Sequence, residues 1–245
     1  MELAPSLHRI GNDVVAAYLV VAGDGVTVVD AGLGGHWAEL LAELASVGKT
    51  VDDVRGVVLT HGDTDHLGFA ERLRADHGVP VHVHADDAAR ARGEVKPHTH
   101  WGPWRLGPTA GFMTYAARRG GLRTRYLREV RPVTDGDVLD LPGSPRIVAV
   151  PGHSPGSVAV HVPAVDAVMV GDALTTRHVL TGRPGPQPAP FTDDSVAALA
   201  SLDRLEVLEA TWVLPGHGPA WDRGAAAAVT AVRAVEPQPR RRATS

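Results

Sequence analysis

Val57-Val58-Leu59-Thr60-His61-Gly62-Asp63-Thr64-Asp65-His66-Leu67-Gly68 is the stretch that decides how this chain reads. Its first three residues are an apolar run of the kind a buried strand needs, and Leu67, Ala70 and Leu73 resume at helical spacing. Between the two lie four cation-binding side chains within six residues: His61, Asp63, Asp65 and His66. On an extended loop, side chains two apart point the same way and neighbours point apart. His61 and Asp63 can therefore serve one ion while Asp65 or His66 reaches a second. The plainer alternative is a polar helix start with Asp63 or Thr64 as its cap, but a cap needs one such residue, not four.

Three more strand ends carry similar groups. Pro151-Gly152-His153-Ser154-Pro155-Gly156-Ser157 and Leu214-Pro215-Gly216-His217-Gly218 each set a histidine in a turn after an apolar strand, and Gly171-Asp172 does the same for a carboxylate. Loops at strand ends are where sheet-based sites collect. Composition agrees: the 245 residues include 13 histidines and no cysteine. Disulfide scaffolds, zinc ribbons, iron–sulfur clusters and a thiol nucleophile are excluded, so soft metal chemistry must rest on histidine.

With 44% hydrophobic and 21% charged residues the chain has a globular rather than a disordered balance. A single domain over residues 1–236 is expected, with an insert at about 93–128 and a flexible tail over 237–245. The net charge of −4 provides no global field for nucleic acid or anionic membrane. The apolar run Val14 to Ala22 is far shorter than the roughly 20 residues of a membrane span, and Met1-Glu2 opens no basic leader. A cytoplasmic location and a small-molecule substrate are expected, with neither nucleic acid nor membrane as partner; homo-oligomerisation stays open.

Val14–Val21 and Val26–Asp30 predict a hairpin, and Trp37, Leu40, Leu41, Leu44 and Val47 an amphipathic helix closed by Gly48. Val79–His84 reads as a strand and Asp86–Arg92 as a short helix. Residues 93–128 show no clean period and read as an inserted, partly helical segment. Val138–Leu141, Arg146–Val150, Ser157–Val162 and Ala167–Val170 predict a second ladder of strands. Residues 182–190 form a Pro/Gly loop, followed by a helix through Val196, Leu199, Leu202 and Leu205, a strand at Trp212–Leu214 and a last helix over Gly224–Val235. Val26–Leu33 and Ala167–Leu174 are both apolar strands ending in Asp-Ala beside a glycine, which hints at a duplicated architecture.

The motifs at Thr60–Gly68, Pro151–Ser157, Gly171–Leu174 and Leu214–Gly218 resemble those of the metallo-β-lactamase superfamily: His-x-His-x-Asp-His, a distal His, an Asp and a last His. The resemblance spans roughly Ile10 to Asp222. It implies an α/β fold, the αββα sandwich, with a two-metal site at one sheet edge. Carried over by position, His61, Asp63 and His153 would hold the first ion, Asp65, His66 and His217 the second, and Asp172 would bridge them. Asp65 would double as the catalytic proton carrier, and Asp30 would orient the loop rather than bind metal. The chain departs from the pattern at Asp63, where a histidine is usual. With three ionised aspartates, two divalent ions and a bridging hydroxide, the site sums to about zero instead of +1, which favours harder ions. Two divalent ions are expected, zinc first, with iron or manganese as alternatives, because each ion sees two histidines and a terminal carboxylate.

The function this implies is hydrolysis of a small ester-like substrate, a thioester, lactone or phosphoester, by a metal-bridged hydroxide. A carboxylate at Asp172 is what the resemblance associates with those hydrolases rather than with true β-lactamases. The lactonase branch places a tyrosine shortly after the bridging Asp, whereas Ala173-Leu174-Thr175-Thr176 stands here. The competing expectations are an iron-dependent redox enzyme resembling the persulfide dioxygenases and a metal-binding protein without turnover. Within the insert, His98-Thr99-His100-Trp101-Gly102-Pro103-Trp104 reads as an aromatic lid, and Arg118, Arg119, Arg123, Arg125, Arg128 and Arg131 as either an anion-attracting or a merely solvated face. His82 and His84 read as core or supporting groups, and Arg240–Arg242 as a solubilising tail.

Overall fold

The computed structural model describes residues 1–23, 25–97 and 101–235. Seven strands form the first sheet in chain order: β1 (Glu2–Ala4), β2 (Leu7–Gly11), β3 (Ala16–Ala22), β4 (Gly25–Val29), β5 (Val54–Val58), β6 (Val81–His84) and β7 (Arg131–Val133). Pairing is antiparallel up to β4 and parallel from β4 onward. β8 (Arg146–Ala149), β9 (Val158–Val162), β10 (Ala167–Gly171) and β13 (Trp212–Pro215) make the second sheet, in the order β13-β10-β9-β8. β11 (Thr175–Arg177) and β12 (Pro184–Gln187) form a separate two-stranded ribbon.

The strands read as unbroken apolar runs because both faces of each sheet are covered. Along β3, Ala17 and Leu19 face one core while Ala16, Tyr18 and Val20 face another, as the two-residue side-chain period of a strand requires. The middle core lies between the sheets, where Tyr18, Val29 and Val58 meet Ile147, Val160, Met169 and Leu214. Helices α1 (Trp37–Ser46), α2 (Thr64–Leu67) and α3 (Ala70–His77) close the outer face of the first sheet, with Leu40, Leu44, Leu67 and Leu73 buried there. Beyond α4 (Ala88–Ala91) and α5 (Leu106–Arg118), helices α6 (Ser195–Ser201), α7 (Asp203–Glu206) and α8 (Ala225–Arg233) flank the second sheet, burying Leu205, Ala228, Val229 and Val232. The result is the αββα sandwich that the resemblance implies. Among the described residues, no helix is long and apolar enough to cross a membrane.

The two halves repeat a topology. β4 pairs antiparallel with the strand before it and parallel with β5; β10 pairs antiparallel with β9 and parallel with β13. Each runs straight into an aspartate, Asp30 or Asp172.

Two expectations need correction, and a third is made specific. The Pro-rich stretch 182–190 contains β12, in which Pro184 and Gln187 pair with Arg177 and Thr175; a two-stranded ribbon leaves one side of each strand free, so a missing N–H is tolerated. Val138–Leu141 is a turn held by a single bridge from Val138 to Arg146, with Leu139 and Leu141 tucked against the middle core. In the insert, α5 is a regular 13-residue helix without a fully buried side chain, so no apolar face announced it. His98, Thr99, His100 and the tail over 237–245 lie outside the described residues.

Tyr18 is buried in the middle core, and its hydroxyl donates to the carbonyl of Pro215 at 2.7 Å, two residues before His217. Tyr18→Phe leaves that carbonyl buried without its partner. The expected cost is about 1–2 kcal/mol, read as a fall in Tm of roughly 2–8 °C in thermal unfolding.

Candidate metal centre

Loops leaving β5, β10, β13 and the β8–β9 turn converge on one buried locus. Backbone bonds knit them: Val158 donates to Thr60, Ala31 to His66, Gly216 to Gly171 and Ala16 to Gly216. The approach is close enough to exclude side chains at two glycines. A Cβ at Gly171 would sit 2.2 Å from the Thr60 Oγ1, and one at Gly216 would lie 2.4 Å from His66 Cε1 and 2.6 Å from Asp172 Oδ1.

All seven residues singled out in the sequence meet there. His61, Asp63 and His153 present ligand atoms within 4.8 Å of one another; so do Asp65, His66 and His217, and so do His61, His66 and Asp172. Asp172 stands between the first two groups: its Oδ2 lies 3.7 Å from His153 Nε2 and 3.2 Å from His217 Nε2, and its Oδ1 lies 3.6 Å from His66 Nε2. Ring centroids of His61 are 4.0 Å from His66 and 4.7 Å from His153. The capping alternative fails for Asp63, which occupies the cap position of α2 but whose side chain makes no capping bond.

Each histidine is gripped by its other ring nitrogen. His66 Nδ1 donates to Asp30 at 2.9 Å and His217 Nδ1 to the carbonyl of Val14 at 2.5 Å. The Thr60 hydroxyl donates to Asp30, so it accepts from His61 Nδ1 at 3.0 Å. The Thr192 hydroxyl donates to the carbonyl of Ala189, so it accepts from His153 Nδ1 at 3.3 Å. In the neutral rings all four lone pairs therefore sit on Nε2, facing the centre. This is the outer support that metal-binding imidazoles use. The Nε2 atoms of His61, His66 and His153 and Oδ1 of Asp172 are buried without a hydrogen-bond partner, a costly arrangement unless something else binds them. Imidazole nitrogens and carboxylate oxygens in these numbers suit divalent zinc, iron or manganese.

The electrostatics divide the histidines. Burial, reinforced by nearby His66 and His153, pushes the His61 pKa well below its ordinary value. Burial also opposes the charged form of His66, but Asp30, Asp172 and Asp65 outweigh it and hold this ring at about 10. Asp172 and Asp65 likewise outweigh burial at His217, which stands at about 9. For Asp172, burial is outweighed by His217, His66 and His153, and its carboxyl is held well below the usual range. Asp65 is the most open of the seven side chains, at 20% exposure against 13% for Asp63 and at most 4% for the others.

Two buried groups lie where the sequence predicts no more than a short helix, over residues 86–92. Asp87 accepts from the Gly62 and Gly156 N–H groups, both at 2.8 Å, and from the Ser154 hydroxyl at 2.7 Å, so it staples the loop of His61 to the loop of His153. Arg90 grips Asp63 with Nε at 2.5 Å and Nη2 at 2.9 Å, and donates Nη1 to Asp193 at 2.7 Å. An acid and a base three residues apart are common on helix surfaces, and nothing in that pattern marks these two as buried. His84 is a turn cap, accepting from the Asp86 N–H at 3.3 Å. His82 is half-buried, its pKa lowered by burial and by Arg131. In the insert, Phe112 of α5 meets the His217 ring edge-on at 6.0 Å, and Trp101 meets Phe191 edge-on at 5.6 Å. Trp104 is exposed, and Arg119 pairs with Glu39.

Known proteins match this chain in both sequence and shape. The family model described as the metallo-beta-lactamase superfamily matches residues 10–217. An uncharacterized protein of Mycobacterium tuberculosis is 32% identical over 177 residues, covering 66% of this chain and 68% of its own. The probable metallo-hydrolase YqgX of Bacillus subtilis is 26% identical over 218 residues, covering 84% of this chain and 86% of its own. Among solved structures, TTHA1623 in a di-iron-bound form superimposes with a TM-score of 0.61 at 30% identity, over 90% of this chain and 96% of that one. The metallo-beta-lactamase family protein TTHA1429 of Thermus thermophilus gives 0.66 at 25% identity, over 94% and 78%. The chain belongs to the metallo-β-lactamase superfamily.

Proposed function

We propose that this protein is a dinuclear metal-dependent hydrolase of a small ester-like substrate: a thioester, lactone or phosphoester. His61, Asp63 and His153 hold one ion, Asp65, His66 and His217 hold the other, and Asp172 is shared. The observation that carries this reading is the Asp172 carboxylate, which faces histidines of both groups within 3.2–3.7 Å. When bound, two divalent ions supply a hydroxide nucleophile near neutral pH and polarise the oxygen of the centre under attack. Asp65, the side chain most open to solvent, accepts the proton released as the nucleophile forms and delivers one to the leaving group. Asp30, Thr60, Thr192 and the Val14 carbonyl keep the imidazoles aimed. Phe112, Phe191 and Trp101 offer apolar edges to an acyl or aryl part of the substrate.

Elemental assay of the purified protein is expected to find about two metal ions per chain, with hydrolysis of members of an ester, thioester, lactone and phosphodiester panel lost on chelation. Asp65→Asn should lower kcat by roughly 10²–10⁴-fold with the smaller change in KM. At most one tightly bound ion, together with unimpaired hydrolysis in His61→Ala, would refute the reading.

Metal loading is also coupled to protons. Below about pH 8 the metal-free rings of His66 and His217 are charged, with pKa values of about 10 and about 9, and each must release a proton before Nε2 can bind an ion. Affinity therefore rises with pH and levels off only above that window. The sign for the metal-free fold is opposite: both pKa values are raised, so the stability these imidazoliums contribute is complete below pH 6.5 and is lost as pH climbs through about 9 to about 10. Zinc titration calorimetry near pH 7 in buffers of different ionisation enthalpy should detect close to two protons released from these rings. Release of none contradicts this assignment of charge.

One observation favours a second reading. The di-iron-bound neighbour at 30% identity shares this fold, and two-histidine, one-carboxylate sets suit non-haem iron. An iron-dependent redox enzyme would consume oxygen with a thiol or persulfide substrate. Full activity with zinc alone under nitrogen excludes it.

A further inference from the structure

Asp63 is the one position at which the chain departs from the ligand pattern of its family, and its surroundings account for the departure. Both of its oxygens are gripped by one guanidinium: Oδ1 takes Arg90 Nε at 2.5 Å and Oδ2 takes Nη2 at 2.9 Å. Only Oδ2 is turned toward the histidines, 3.3 Å from His153 Nε2 and 3.7 Å from His61 Nε2. Arg90 is only 5% exposed, and its remaining edge is pinned by Asp193, whose own N–H bonds the carbonyl of His153. The helix that carries Arg90 is pressed onto the ligand loop, since a Cβ at Gly62 would come within 2.8 Å of Ala91 N and 3.0 Å of Arg90 Cβ. The guanidinium is thus fixed from three sides, and the carboxylate has one orientation.

We propose that Asp63 and Arg90 work as a single unit, a guanidinium-clamped carboxylate standing in for a neutral third ligand, with Arg90 as the positioning residue. This rests on the metal-binding reading above. The fork takes one lone pair of each oxygen and holds Oδ1 away from the histidines, so Asp63 has the second lone pair of Oδ2 for the ion and binds through one oxygen, as an imidazole binds through one nitrogen. The buried positive charge beside Asp63, which it shares with Asp193, offsets part of the charge of the additional carboxylate, so the substitution makes the centre less negative than the ligand types alone imply. It also makes the two residues interdependent: a histidine at position 63 would leave the Nε/Nη2 edge of a buried guanidinium facing a neutral ring and a divalent ion, with Asp193 alone on its other edge.

The test is zinc titration of chelator-treated protein, followed by calorimetry and elemental assay, with circular dichroism to confirm folding. Wild type is expected to bind about two zinc ions per chain. Arg90→Lys keeps the charge but loses the fork, and should weaken one site by about 10–100-fold while leaving the other unchanged. Asp63→His alone should reduce the stoichiometry from about two to about one, and Asp63→His with Arg90→Met should restore the second zinc ion, because the cation facing the ion has been removed. Restoration in the double variant also rules out a simple folding defect in Asp63→His. The proposal is overturned if Asp63→His alone binds two zinc ions as tightly as wild type, if the double variant is no better than Asp63→His, or if Arg90→Lys leaves both sites unchanged. Failure of wild type itself to bind two ions would instead refute the metal-binding reading.

Discussion

A single buried carboxylate organises the centre. Asp30 ends β4 in a left-handed turn, with φ of 60°, and it is 2% exposed. A charge so far from water must be met by donors, and three are supplied: the N–H and hydroxyl of Thr60 and Nδ1 of His66; the same hydroxyl accepts from Nδ1 of His61. The requirement to satisfy one anion therefore sets the start of the β5 loop, the tautomer of one imidazole and the orientation of another. The strain of the left-handed residue is held in place by that network. The remaining loops are built against this one, through the Val158 bond to Thr60 and the Ala31 bond to His66.

The second half of the chain reuses the design with a different outcome. β10, like β4, has one antiparallel and one parallel neighbour and also delivers an aspartate. Asp30 is enclosed by hydrogen-bond donors, whereas Asp172 faces three imidazole nitrogens and keeps one oxygen without a hydrogen-bond partner. The two carboxylates differ in what surrounds them, not in their place in the strand. One is a strut, and the other is available to an ion.

Much of this was legible in the residues. Strands flanked on both sides by apolar layers announce themselves as unbroken Val-rich runs, and a histidine or aspartate directly after such a run marks a strand end whatever its partner is. What stayed hidden depends on contacts between distant parts of the chain. Arg90 meets Asp63 across 27 positions, and Asp87 meets Ser154 across 67. No periodicity encodes such pairings, because a charged residue on a short helix looks the same whether it ends in water or in a core. α5 was obscured for the opposite reason: a helix with no fully buried residue has no apolar stripe to read. β12 forms despite its two prolines, Pro184 and Pro186, because a ribbon strand needs hydrogen bonds on one side only.

The same logic explains why the centre tolerates so much buried charge. Four imidazoles and three carboxylates packed within a few ångströms would be prohibitive if all carried fixed charges. Instead His61 is driven neutral by burial and by its two histidine neighbours, while His66 and His217 are driven to the charged form by Asp30, Asp172 and Asp65. The metal-free protein balances its aspartates with protons on two rings and with the guanidinium of Arg90. A divalent ion can displace the protons but not the guanidinium. On the proposed reading, the half of the centre built on His66 and His217 would exchange protons for metal, whereas the half built on Asp63 keeps its own permanent counter-charge. That asymmetry follows from placing a carboxylate, rather than an imidazole, at position 63.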